Sequence, residues 1–183
     1  MDDRVAFDAF LKTRVAPNLT VRGFRRRGQR FVAVRGSNEI LVAFQRRGTL
    51  FTGDLAVVCA LLRAEFGSMP PVHWRVRLGP VAVGYDKWWD LAEGIGAVAD
   101  DFGAALDRGL DHIEPISTDE GLRDAILRLA LDDPRPLPPS MQSWVVTLVR
   151  TVGPGDWANV GRIHPMISQA ASGSKRPLRR PGA

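Results

Sequence analysis

Apolar and polar positions alternate with a period of two through the first half of this chain, and the period changes to about 3.6 in the second half. In "NEILVAFQRRG", Ile40, Val42 and Phe44 share one side while Leu41, Ala43 and Gln45 share the other, which marks a strand. "QRFVAVRG" reads as the strand before it. "RGSNE" joins the two with turn chemistry, since Gly36 and Asn38 can both adopt positive φ, and the pair predicts a hairpin. After a further turn at "RRGT", "LFTGDLAVVCALL" predicts a third strand whose second half is also compatible with helix. "HWRVRLG" predicts a fourth, with His73, Arg75 and Arg77 alternating with Trp74, Val76 and Leu78. A helix precedes them all: Val5, Phe7, Phe10, Leu11 and Val15 sit at helical spacing behind Asp2 and Asp3, and the pattern ends between Pro17 and Gly23.

Ile95, Val98, Ala99, Phe102, Leu106, Leu110 and Ile113 then form one stripe, with Asp100, Asp101, Asp107 and Asp111 mostly off it, as in an amphipathic helix lying on a core. Ser117 and Glu120 have capping-box spacing ahead of a helix through Leu122, Ala125, Ile126 and Leu129. The prolines of "DDPRPLPPS" break the chain. Beyond them, Met141, Trp144, Val145, Leu148 and Val152 outline another helix, and Trp157, Val160, Ile163 and Ile167 a last one. Strands first and helices later predict an α+β fold: an antiparallel sheet of about four or five strands with helices on one face, plus a C-terminal helical extension. The expected organisation is a core over 1–133, an extension over 134–171 and a disordered basic tail over 172–183.

Charge complicates this picture, because the net +5 of the 183 residues is unevenly spread. Residues 1–50 carry eleven Lys and Arg against four Asp and Glu, whereas residues 85–134 carry four against thirteen. A basic front beside an acidic middle predicts pairing with another protein or with itself as readily as attraction to a polyanion. The densest basic stretch is "GFRRRGQRF", where Arg25, Arg26, Arg27 and Arg30 stand between Phe24 and Phe31. It reads as a solvated helix-to-strand turn pinned by two aromatic rings. Nucleic acid is disfavoured there, because arginines on a turn radiate instead of lining one face with stacking rings.

No apolar run is long enough to cross a bilayer, and "MDDRVAF" lacks the basic region and hydrophobic segment of a secretion signal, so a cytoplasmic protein is expected. Cys59, the single cysteine, lies in the apolar "AVVCALL" and reads as a buried residue. His73, His112 and His164 have no second ligand at metal-binding spacing, "GIGAVA" lacks the buried strand a dinucleotide fingerprint needs, and no hydrolase or nucleotidase signature is present. Neither a metal nor a cofactor is therefore predicted, and no catalytic residue is assigned. Two groups remain as ligand candidates. Gln45, His73, Arg75 and Arg77 either decorate an exposed sheet face or line a concave surface that grips a carboxylate or phosphate. Trp88 and Trp89 in "DKWWDL" divide, if helical, between a core position and an edge or groove.

The order of "VAPNLTVRGF", "GFRRRGQRF", "VAFQRRG", "WRVRLG" and "KWWDL" resembles the bacterial domain of unknown function 4304 family, over about residues 4–115. Gly23, Phe24, Phe31, Gln45, Arg77, Gly79 and Trp89 are the matching positions. The resemblance implies no reaction. The function expected is thus a non-enzymatic binding or protein-interaction module. A binder or enzyme of a small anion on the Arg/Gln/His face, and nucleic-acid binding through the basic turn and tail, are the alternatives.

Overall fold

A computed structural model describes residues 3–68, 71–133 and 135–159. The chain forms two compact units, one ending at Thr118 and the other beginning at Asp119. The proline-rich stretch expected as a boundary therefore separates two helices of the second unit. Residues 160–183, which hold most of the expected last helix, His164 and the basic tail, lie outside the described residues.

The first unit opens with helix α1 (Asp3–Phe10), a π turn over Leu11–Val15 and helix α2 (Ala16–Val21). Pro17 brings no N–H to the helix, and its ring would crowd the carbonyl four residues back. The wider π turn, in which the Ala16 N–H reaches the Leu11 oxygen, carries the chain past it.

The sheet follows: β1 (Arg25–Arg27), β2 (Arg30–Arg35), β3 (Asn38–Arg47), β4 (Leu50–Val58), β5 (Trp74–Arg77) and the short β6 (Trp89–Asp90). All pairings are antiparallel, in the order β1-β2-β3-β4-β5, with β6 also on β4. The first three connections are two-residue loops beginning with Gly28 (φ 64°), Gly36 (φ 60°) and Gly48 (φ 63°), the glycine-first arrangement whose twist matches that of paired strands. Asn38, by contrast, does not take positive φ. It starts β3 as a buried residue, its side chain donating to the Ser117 carbonyl and accepting from the Ala60 N–H.

Strand alternation sends Phe31, Ala33, Ile40, Val42, Phe51, Leu55 and Val57 into one core with residues of α1, α2 and the long helix α5 (Ile95–Ile113). Gly109 allows α5 its close approach, because a Cβ there would stand 2.4 Å from Leu78 Cδ1 and 2.7 Å from Leu55 Cδ1. The third predicted strand is strand as far as Val58, and only its last three residues open α3 (Ala60–Phe66); Leu78 opens a short helix, α4 (Leu78–Val83), instead of extending β5. Ser117 does not form the expected capping box: its hydroxyl donates to the Glu114 carbonyl within a 3-10 turn.

The second unit contains α6 (Asp119–Asp132) and α7 (Pro139–Val152). Its buried Arg123 donates to the Asp124 carboxylate and the Gly153 carbonyl, and Trp157 donates to the same carboxylate. No helix among the described residues is long and apolar enough to cross a membrane.

Candidate functional site

The sheet face opposite the core is made by the alternate residues of the same strands: Arg30 and Val32 of β2, Leu41, Ala43 and Gln45 of β3, Asp54 and Ala56 of β4, Arg75 and Arg77 of β5. Cross-strand register sets them in rows, Arg30–Ala43–Asp54–Arg77 and Val32–Leu41–Ala56–Arg75. With Arg63 of α3 and the Pro71–Val72 segment these residues, Gln45 and Arg77 excepted, enclose a concavity of about 720 Å³. Arg27, Arg30, Arg63 and Arg75 stand around it, against the two carboxylates of Glu39 and Asp54.

Both carboxylates already have partners. Asp54, with its side chain 4% exposed, accepts from Gln45 Nε2 at 2.6 Å and from Arg75 at 2.8 Å through one oxygen. The Gln45 amide oxygen accepts from Arg77 at 3.1 Å, and Arg77 also binds Asp86 at 2.6 Å with its guanidinium 5.6 Å above the Trp88 ring. Glu39 faces Arg63 at 4.0 Å. A buried carboxylate needs such partners, because losing its hydration without them is costly. The arginines of β5 are thus committed within the face.

The arginine run is not a radiating turn. Arg25–Arg27 is an edge strand, and its alternation sorts the charges: Arg25 pairs with Val32 and Arg27 with Arg30, on the open side, while Arg26 pairs with Phe31, on the core side. Arg26 accordingly reaches Asp8 of α1 at 3.5 Å. Among the described residues, Arg25, Arg27 and Arg30 show no carboxylate partner. Two residue groups that the sequence offers separately, one on β1–β2 and one on β3–β5, therefore share one face.

The remaining candidates are placed elsewhere. His73 is buried and precedes β5; its Nδ1 accepts the Cys59 N–H at 3.0 Å, and its backbone N–H donates to the Val57 carbonyl. Burial, aided by Arg63, lowers its pKa and keeps the ring neutral. It braces the β4–α3 turn and does not line the concavity. The two tryptophans of "DKWWDL" are not on a helix, since Trp88 precedes and Trp89 opens β6: Trp88 is half-buried beneath Arg77, and Trp89 is in the core.

The Trp89 Nε1–H and Lys87 Nζ each donate to one oxygen of Asp101 at 2.6 Å. The Lys87 bond, with that from Trp89, lowers the Asp101 pKa against the effect of burial; the same bond raises that of Lys87. Asp101 thus contributes stability above its unfolded pKa of about 3.9, lost as pH falls through the depressed folded value. Lys87 contributes below about 10.4, lost as pH rises through its raised value. Urea denaturation from about pH 4 to pH 2 is expected to show a shallower loss of stability in Asp101→Asn than in the wild type.

Asp54, Glu39 and Arg63 escape sequence reasoning, although Asp54 leaves a trace as the lone acid within the apolar "LFTGDLAVV". The charge asymmetry resolves partly inside the unit: Arg22 binds Asp107 and Asp111 of α5, and Arg35 binds Glu114. No family model, curated protein or solved structure matches the chain.

Proposed function

We propose that this chain is a cytoplasmic, non-enzymatic binding module that takes an anionic ligand on the open face of its sheet. The carrying observation is the Arg27–Arg30 pair: two arginines directly opposite each other, without a carboxylate partner among the described residues, beside the concavity. Like charges in register across a strand pair weaken it, so an anion bound between them offsets a cost that the free protein bears. The non-enzymatic part of the reading is supported by the lining, which among the described residues offers no His, Cys, Ser, Thr, Tyr or Lys, and whose two acids are engaged by arginines.

Recognition between complementary basic and acidic regions has less support, because Arg22 and Arg35 are paired with α5 and its C-terminal flank inside the unit. Nucleic acid also has less, because no aromatic side chain lines the concavity. The landmarks that resemble the domain of unknown function 4304 family fall within the unit that bears this face, and we propose membership of that family on them.

The test is titration with inorganic phosphate, followed by the arginine side-chain Nε–Hε NMR signals. Arg27 and Arg30 are expected to shift together, saturably, and less as sodium chloride is added. Arg30→Glu is expected to abolish the shift while thermal stability stays level or rises, since it turns a like-charge pair into an opposite-charge pair. Equal shifts at the exposed Arg46 and Arg47, unchanged by Arg30→Glu, would refute the reading.

A further inference from the structure

We infer that the ligand of this face is amphipathic, a single carboxylate carried on an unbranched apolar body, with its charged end fixed at Arg27 and Arg30. This inference rests on the anion-binding reading and specifies the ligand class. The uncommitted cations Arg25, Arg27 and Arg30 stand along the β1–β2 edge of the face, because Arg75 is held by Asp54 and Arg63 faces Glu39. Inward from that edge the floor carries an apolar patch, bordered by the Glu39–Arg63 and Asp54–Arg75 pairs. β2 presents Arg30, then Val32, then Val34 at alternate positions, a run of about 13 Å at about 3.3 Å per residue. Leu41 and Ala56 lie beside Val32 in register.

The apolar character continues past the first concavity. A second one of about 350 Å³, lined by Val34, Ser37, Val58, Ala60 and Ala64, borders the first and shares Glu39 and Arg63 with it. Val34 is 61% exposed, and covering it would recover apolar burial that the free protein lacks.

A polyanion or an acidic strand lying across the sheet would require uncommitted cations along its length, but beyond the β1–β2 edge Arg63, Arg75 and Arg77 already face Glu39, Asp54 and Asp86. The larger volume also falls in the range of small-molecule sites, about 300–1,000 Å³. A long-chain carboxylate taken as a single molecule satisfies all three features.

Three probes on the full chain separate this inference from the reading beneath it: acetate, octanoate and octan-1-ol, titrated with calorimetry and the same arginine NMR signals. Octanoate is expected to bind at least about 50-fold more tightly than acetate. That factor corresponds to about three buried methylenes at about fourfold each, half of the six that octanoate adds. Octan-1-ol is expected to bind weakly and leave the Arg27 and Arg30 signals unmoved. Leu41→Gln, a substitution at a half-buried position on the open face, should remove most of octanoate's advantage while leaving acetate unchanged. Arg30→Glu should remove the binding of both acids.

Equal affinities for octanoate and acetate, or an octanoate advantage untouched by Leu41→Gln, would overturn the amphipathic ligand and leave the anion site standing. Octan-1-ol binding as tightly as octanoate, or no binding by either acid, would overturn both. Binding to phosphatidylglycerol vesicles without binding of monomeric octanoate would replace the single-molecule ligand with a membrane surface.

Discussion

Phe51→Ala is expected to destabilise the first unit by about 3–5 kcal/mol, the largest cost of any single truncation proposed for this protein. The reason is the position of the ring. Phe51 is fully buried on the core side of β4, with ring centroids 5.0 Å from Phe10, 5.1 Å from Phe102, 5.5 Å from Phe7 and 6.1 Å from Trp89. It touches an aromatic ring from α1, from β6 and from α5. Removing it loses hydrophobic transfer energy, leaves a cavity whose walls are themselves bulky rings, and forfeits four tilted ring–ring contacts. Since a domain of this size has a total stability of about 5–15 kcal/mol, the loss is a large fraction of the whole. Urea denaturation followed by far-UV circular dichroism measures it directly. Phe51→Leu, which keeps most of the volume, should cost markedly less. A cost below about 1.5 kcal/mol for the alanine variant would mean that the aromatic cluster does not hold the sheet to its helices. The effect reaches the open face as well, because Asp54 and Ala56 follow Phe51 on the same strand and take their register from it.

The core side of this sheet is legible in the sequence for a simple reason: burial on one face imposes a period of two, and Ile40, Val42 and Phe44 display it without interruption. α5 is legible likewise from its 3.6-residue stripe, most of which is buried. The arginine run is misread for the opposite reason. "RRR" has no alternation of polarity, so nothing local distinguishes a solvated turn from an edge strand whose two faces are both wet. What decides it is Gly28, whose positive φ closes a hairpin against β2 and brings Arg27 opposite Arg30. Gln45, Arg75 and Arg77 can be placed on one side of their strands from spacing alone. Their partners Asp54 and Asp86 are matters of register and of a loop's path, which no local pattern encodes. His73 shows the limit of that reasoning, since it lies one residue ahead of β5, where alternation no longer governs a side chain's direction.

Gly79→Ala is expected to destabilise the same unit by about 3 kcal/mol, the upper part of the usual range for overpacking, and to loosen the β5 side of the open face. Gly79 is buried in the first turn of α4, and its φ is unremarkable, so the requirement for glycine is one of space. A Cβ would lie 2.4 Å from the Lys87 backbone nitrogen and 2.7 Å from the Tyr85 carbonyl oxygen. Neither is the end of a flexible side chain, so the Tyr85–Lys87 backbone itself must retreat. That segment carries Asp86, which holds Arg77, and leads into Trp88, over which the Arg77 guanidinium lies. It also supplies the Lys87 carbonyl that accepts the hydroxyl proton of the buried Thr52 on β4. One methyl group therefore strains the connection between α4 and β6 and releases an arginine of the face. Gly103→Ala provides the contrast, because it lies inside α5 with open space around the added carbon. That change should stabilise by about 1 kcal/mol through helix propensity alone. Opposite signs for the same chemical substitution, measured by urea denaturation, with the Arg77 side-chain NMR signal altered only in Gly79→Ala, are the outcome this packing requires. Loss of less than about 1 kcal/mol in Gly79→Ala, with the Arg77 signal unmoved, would show that the Tyr85–Lys87 segment does not lie against α4.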